Sequence, residues 1–415
     1  MSQKTATIII IIFVLMLALG FLAFYFYTNQ GQGVGIGTTD PRGNIFPGGG
    51  TGGGGTEVPG GNTTPEGGTG GGQGGTPQIV PVLKELSTRP SAGAVSIATS
   101  TSVLVRFIER GSGNVYEVSP QDNSEKRLSN TTIPKIEEAL WDKTGTQVIA
   151  RYTGDTGDLI KTYSATLTEN SATEIEGKLQ GSFMTDNIDV VAKSPDQTKI
   201  FYLLQNSAGT TGIVSDFNGG KKTQVFDSPL QEWLVEWPTA TQVALNTKPS
   251  AGAPGFLFLL NTATGALTRA ISSINGLTTL VNPRGTMALY SESIFPNLSF
   301  KIYSFTDGST KETPVATLPE KCVWSKNDSD SIYCSVPTYI PDGTYPDIWY
   351  RGQVLFSDEI WKIDSTTGTG ELLANIKKSA NKDVDGINLF LSPNEDYLFF
   401  TSKSDFHVWS LRLLP

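Results

Sequence analysis

Residues 140 to 152, Leu140-Trp141-Asp142-Lys143-Thr144-Gly145-Thr146-Gln147-Val148-Ile149-Ala150-Arg151-Tyr152, decide the fold. An apolar strand ends in Trp141, a polar turn carries Gly145, and a β-branched strand leaves the turn again, which is a short-range signal for a β-hairpin. The pattern recurs. Val191-Ala192-Lys193-Ser194-Pro195-Asp196 runs into Ile200-Phe201-Tyr202, Val235-Glu236-Trp237-Pro238 into Val243-Ala244-Leu245, and Leu280-Val281-Asn282-Pro283-Arg284-Gly285 into Met287-Ala288-Leu289. Cys322-Val323-Trp324-Ser325 leads to Ile332-Tyr333-Cys334, Phe390-Leu391-Ser392-Pro393-Asn394 to Leu398-Phe399-Phe400, and a degenerate copy upstream pairs Val95-Ser96-Ile97 with Val103-Leu104-Val105.

The first strands end at Ile97, Trp141, Ser194, Trp237, Asn282, Trp324 and Ser392, in steps of 44, 53, 43, 45, 42 and 68. Four of these steps match the ~40–45-residue period of a four-stranded propeller blade. Two further strand-like runs follow each hairpin, joined by turns such as Asn261 to Gly265 and Asp364 to Gly368. The spacing therefore predicts an all-β, seven-bladed β-propeller. The last repeat offers only three strands before the chain stops at Pro415, and the missing one is read upstream in Val82-Leu83-Lys84-Glu85-Leu86-Ser87. A six-bladed ring that leaves out the weak first copy is the competing count.

The 415-residue chain has a net charge of -9 and scattered Lys and Arg, so it has no basic stripe for nucleic acid. Only 17% of residues are charged, which suits a β-rich exported domain. Residues 1–6 read as a cytoplasmic stub. Residues 7–28, including Ile8-Ile9-Ile10-Ile11-Ile12-Phe13-Val14-Leu15, are uncharged and long enough for a single N-terminal transmembrane helix across a ~30 Å core. Lys4 before this run, with no basic residue after it until Arg42, places the N-terminus in the cytoplasm and the remainder outside, in an extracytoplasmic location at the cell membrane. The competing reading is a signal peptide cleaved near Ala18 or Gly20, but the apolar run continues past that point. Residues 29–78 are a Gly/Thr/Pro-rich linker with no means of forming a core, able to span roughly 40 Å as a flexible coil. The propeller takes 79–415.

The turns Ser194-Pro195-Asp196-Gln197, Ser392-Pro393-Asn394-Glu395 and Trp141-Asp142-Lys143-Thr144-Gly145 resemble those of TolB-type, WD-repeat-like propellers. Anchor, linker and propeller together are similar in layout to membrane-anchored envelope proteins of candidate-phylum bacteria. That resemblance implies a fold and says little of activity, because propellers host binding, scaffolding and catalysis alike.

Cys322 and Cys334 lie opposite each other if Trp324 faces Ile332, which makes them a candidate disulfide, with two buried thiols as the alternative. His407 sits between Phe406 and Val408 as a packed or edge residue, and no Gly-x-Ser-x-Gly elbow accompanies it. No catalytic, metal or cofactor site is expected. Glu137-Glu138, and Asp383 with Asp385, are acidic pairs that a glycosidase would use only at the right separation. Asn327-Asp328-Ser329-Asp330 reads as a solvated turn rather than a calcium loop, and Arg106 and Arg151 as solvent-facing strand residues rather than an anion site.

The insertion that stretches the last step to 68 is the favoured binding surface. It gathers Tyr339, Tyr345, Asp347, Trp349, Tyr350 and Arg351, residue types that supply contact area at low entropic cost. Propeller geometry places Glu232, Trp233, Asn275 and Asp385 near the same mouth. The bland alternative is an aromatic plug. Two functions follow from this reading: a non-catalytic module binding an envelope or cell-surface protein, peptide or glycan, or a hydrolase or lyase of envelope polymers using acids at the mouth.

Overall fold

The computed structural model describes residues 82–154, 160–168 and 177–413. The expected membrane helix and linker lie outside these residues, and among those described no helix is long and apolar enough to cross a membrane.

The described chain forms seven four-stranded antiparallel sheets. Six are built from consecutive strands and define blades 1 to 6, at 91–127, 136–183, 188–228, 233–275, 278–312 and 322–375. In blade 7 the three strands within 386–412 are joined by Leu83–Glu85, which pairs with Val408–Arg412 in the register Leu83↔Leu411. Seven apolar clusters fill the seven contacts between neighbouring blades. The last joins Val105, Phe107 and Tyr116 of blade 1 to Tyr397, Phe399 and Val408 of blade 7, and so closes the ring.

Burial falls off along each sheet because only the inner strands are covered on both faces. The second strands, such as Ser331–Pro337 and Tyr397–Ser402, are buried at every position, whereas the outermost strands Glu125–Arg127 and Thr310–Glu312 are exposed throughout. This explains why second strands read as continuous apolar runs while fourth strands nearly vanish in the sequence.

The hairpins between first and second strands share one face, here the turn face. Asp142 Oδ1 accepts from the backbone N–H groups of Thr146 and Gln147, both at 2.9 Å, and Asn282 Oδ1 does the same for Thr286 and Met287. Four of the seven turns contain a left-handed residue, supplied by Gly145, Gly285, Gln197 and Glu395 with φ between 57° and 67°. The opposite loop face carries the blade-to-blade connections and the loops between second and third strands. Val82 lies on the turn face, where its carbonyl accepts from Arg412 N at 3.1 Å.

Phe406, at φ 60°, belongs to the turn closed by Ser402 N donating to His407 O, and the last strand starts at Val408.

Candidate functional site

The insertion leaves blade 6 after Pro337 and returns at Asp358. It crosses the loop face in contact with several blades. Asp347 accepts from Ser250 Oγ at 3.2 Å and from Ala251 N at 2.7 Å in blade 4, and Gly343 N donates to Pro296 O at 3.1 Å in blade 5. A Cβ at Gly276, which has φ +67°, would stand 2.5 Å from Tyr345 O, so the connection from blade 4 to blade 5 accepts the insertion only with glycine there.

Beneath the insertion lies an ion cluster that sequence reasoning found only in part. Lys321, in the short 3-10 turn Pro319–Lys321, is 0% exposed and donates to Asp358 Oδ2 at 2.7 Å, to Gly386 O at 3.1 Å, and to Asp385 Oδ1. Asp385 Oδ2 also accepts from Trp349 Nε1 at 2.8 Å and Phe356 N at 3.2 Å. Asp358 Oδ2 accepts from Ser335 Oγ and Gly386 N, both at 2.7 Å, while its Oδ1 is buried without a partner. Burial pushes the Asp358 carboxyl upward, against the pull of Lys321. Lys403 completes the arrangement, donating to Trp349 O at 2.6 Å with its ammonium 3.5 Å from the centre of the Trp349 ring, and burial pushes it down to about 8.

The aromatic residues of the insertion divide by direction. Tyr345 (0% exposed) and Trp349 (5%) pack with Leu298, Leu318 and Phe356, so they form the core of the insertion and not a contact surface. This corrects the expectation for both, and for Asp385, which is enclosed beneath Trp349. Trp233 is likewise buried, edge-on to Phe226 and Phe258, because its indole fills the joint between blades 3 and 4. Glu232 is exposed and paired with Lys248. Tyr339 (72% exposed), Tyr350 and Arg351 remain outside. The Tyr350 hydroxyl turns inward to donate to Glu320, and burial raises both groups.

The remaining candidates are committed elsewhere. Glu137 pairs with Arg110, Glu138 with Arg151, and Asp383 with Lys377. Arg151 is buried rather than solvent-facing, with Nη2 donating to the carbonyls of Ile188 at 3.1 Å and Asp189 at 2.5 Å; Arg106 is half-buried against Glu117. Asp328 caps the turn of blade 6 through Ser331 Oγ at 2.5 Å. Cys322 and Cys334 are directly opposed in the hairpin and joined in a disulfide. His407 Nδ1 lies 2.7 Å from Glu85 Oε1, tying blade 7 to the closing strand. With Asp405 these two form a grouping of potential metal-ligand atoms, but Lys382 also binds the Glu85 carboxylate.

No protein-family model matches the chain, and no curated protein does. Among solved structures it is similar to an oligogalacturonate lyase in complex with manganese, with a TM-score of 0.54 and 10% identity over 80% of this chain and 93% of that one. An oligogalacturonate lyase from Vibrio parahaemolyticus gives a TM-score of 0.52 and 9% identity over 81% and 97%. TolB from Acinetobacter baumannii gives 0.41 and 12% over 80% of each chain. At these identities the likeness is one of fold.

Proposed function

We propose that this chain is a membrane-tethered, extracytoplasmic β-propeller that docks an envelope protein or peptide on its loop face and acts as a scaffold without catalysis. The observation that carries this reading is the distribution of exposed apolar side chains. Among the described residues, eight of the eleven exposed large hydrophobic residues stand on the loop face: Ile160, Phe183, Leu230, Ile294, Phe295, Tyr339, Tyr350 and Leu355. Five belong to the adjoining loops of blades 5 and 6, where Phe295 is 75% exposed and Tyr339 72%. Exposed apolar groups concentrated on one face are a mark of protein interaction sites.

Three further points support the reading. The disulfide suits an oxidising compartment outside the cytoplasm. Val82 lies on the turn face, opposite the apolar loops. The acids offered for an envelope-polymer hydrolase or lyase at the mouth, Asp347 and Asp385, already hold the insertion in place.

The test is photo-crosslinking in intact membranes from positions 295 and 339 on the loop face and from 267 on the turn face. The expected result is a discrete partner protein captured from the first two and not from the third. Equal capture from all three would overturn the reading, as would a polymer-cleaving activity that disappears in Asp347→Ala.

A further inference from the structure

A second feature of the loop face lies away from the insertion, where blades 2, 3 and 4 meet. A cleft of about 430 Å³ is lined by Ile160, Asn187, Ile188, Asp189, Gln205, Asn206 and Gln231. Its size is at the lower end of the ~300–1,000 Å³ typical of small-molecule sites. Five of the seven lining side chains are amides or a carboxylate, contributed by three separate connections that the ring brings together.

We infer that this cleft binds a short neutral saccharide. An amide presents donors and an acceptor side by side, as a sugar hydroxyl presents both, and a carboxylate accepts from two neighbouring hydroxyls. The amides are braced, which limits the ordering cost of binding. Gln205 Nε2 donates to Gln231 O at 3.3 Å, Gln231 Nε2 to Asn206 O at 3.4 Å, and Asn206 Oδ1 accepts from Ala208 N at 2.8 Å. Each glutamine keeps acceptor capacity for a ligand. Ile160 offers exposed apolar surface to the C–H face of a pyranose ring, while Ile188 is buried in the wall of the cleft.

Charge selects among sugars. The Arg151 guanidinium behind the cleft donates through Nη1 to Glu138 and through Nη2 to the carbonyls of Ile188 and Asp189, with its Nε buried without a partner, and Lys248 beside it pairs with Glu232. The carboxylate facing a ligand is that of Asp189, which accepts from the Gln205 amide beside the exposed Lys248–Glu232 pair, and as an anion it repels uronates and sulfated sugars. A peptide fits less well, because the lining offers side-chain amides rather than an open strand edge to pair with.

The experiment is saturation-transfer NMR on the full chain in a zwitterionic detergent without a sugar headgroup. The probes are cellobiose, maltose and N,N′-diacetylchitobiose, with digalacturonic acid and a tetra-alanine peptide as the other classes. At least one neutral disaccharide should show transfer while digalacturonic acid and the peptide show none. Gln231→Ala and Gln205→Ala should each weaken binding about fivefold, the equivalent of one hydrogen bond. Both are exposed or half-exposed surface changes, and circular dichroism checks that the variants keep the wild-type fold. The inference is overturned if no neutral probe binds, if digalacturonic acid or the peptide is preferred, or if both variants bind like wild type. Phe295→Ser and Tyr339→Ser should leave saccharide binding unchanged, which separates this site from the protein-docking surface.

Discussion

The ammonium of Lys321 lies 2.7 Å from Asp358 Oδ2, and neither side chain reaches solvent. A buried cation between two buried carboxylates adds little stability over an apolar substitute, but removing one partner is costly. Lys321→Met strands Asp358 and Asp385 and should cost about 3–5 kcal/mol in urea unfolding. Adding Asp358→Asn and Asp385→Asn should recover a large part of that loss. A loss below about 1 kcal/mol in the single variant would mean the charges are not enclosed as described.

Two of the turns between first and second strands place a large polar residue where φ is positive, with different consequences. Gln197, at φ 57°, has its Oε1 buried without a partner. Gln197→Gly should raise stability by up to about 1 kcal/mol. Glu395, at φ 58°, accepts from Lys326 N at 2.6 Å, Asn327 N at 3.1 Å and Ser325 Oγ, linking the turn of blade 7 to that of blade 6. Glu395→Gly should lower stability by about 1–2 kcal/mol, so the same substitution at equivalent places moves the melting temperature in opposite directions.

Ring closure rests on a short segment. Ser87 Oγ accepts from Val408 N at 2.9 Å, Leu86 N donates to Val408 O at 2.7 Å, and Lys84 reaches Gln121 O of blade 1 at 2.9 Å. Removal of residues 1–78 should leave a cooperative, soluble fold, whereas removal through Ser87 should cost several kcal/mol, on the order of a lost core strand. Identical melting temperatures for the two truncations would refute closure by this strand.

Glu236 gives the fold a pH dependence. Burial pushes its carboxyl up from 4.5 to about 8, opposed by the Val281 N–H and reinforced by Glu320. Between those values the unfolded chain releases a proton that the folded chain retains, so rising pH favours unfolding. Glu236→Gln keeps the acceptor for Val281 but carries no proton to release. Its melting temperature should differ least from wild type near pH 5 and exceed it increasingly toward pH 8, and a constant difference across that range would refute the assignment.

Local chemistry made the ring legible in the sequence. Asp142, Ser194, Asn282 and Ser392 open turns whose caps lie within five residues of them, and Cys322 and Cys334 fix their register across one hairpin. The ion cluster was legible only at Asp385, and its pairing was not. Lys321 meets Asp358 and Asp385 at separations of 37 and 64 residues, and no turn or alternation signals such a pairing. Composition identified the insertion but not its orientation. Trp349 and Tyr350 are adjacent, yet the short helix Asp347–Tyr350 directs the first onto Asp385 and leaves the second at the surface. The amide cleft was missed for the same reason, since Asn187, Gln205 and Gln231 come together only once blades 3 and 4 are stacked.

The pairing of Leu83 with Leu411 also sets an order of events during synthesis. The first strand of the ring, Leu83–Glu85, has no neighbour until Val408–Arg412 leaves the ribosome, so the nascent chain must carry an unfinished ring through all intervening stages. A product terminated before Val408 keeps an open edge on Tyr397–Ser402 and an unpaired strand at Leu83–Glu85, both of which invite aggregation or proteolysis. The ring thereby reports whether synthesis has reached its last strand, since only a product that extends through Arg412 can hide both edges.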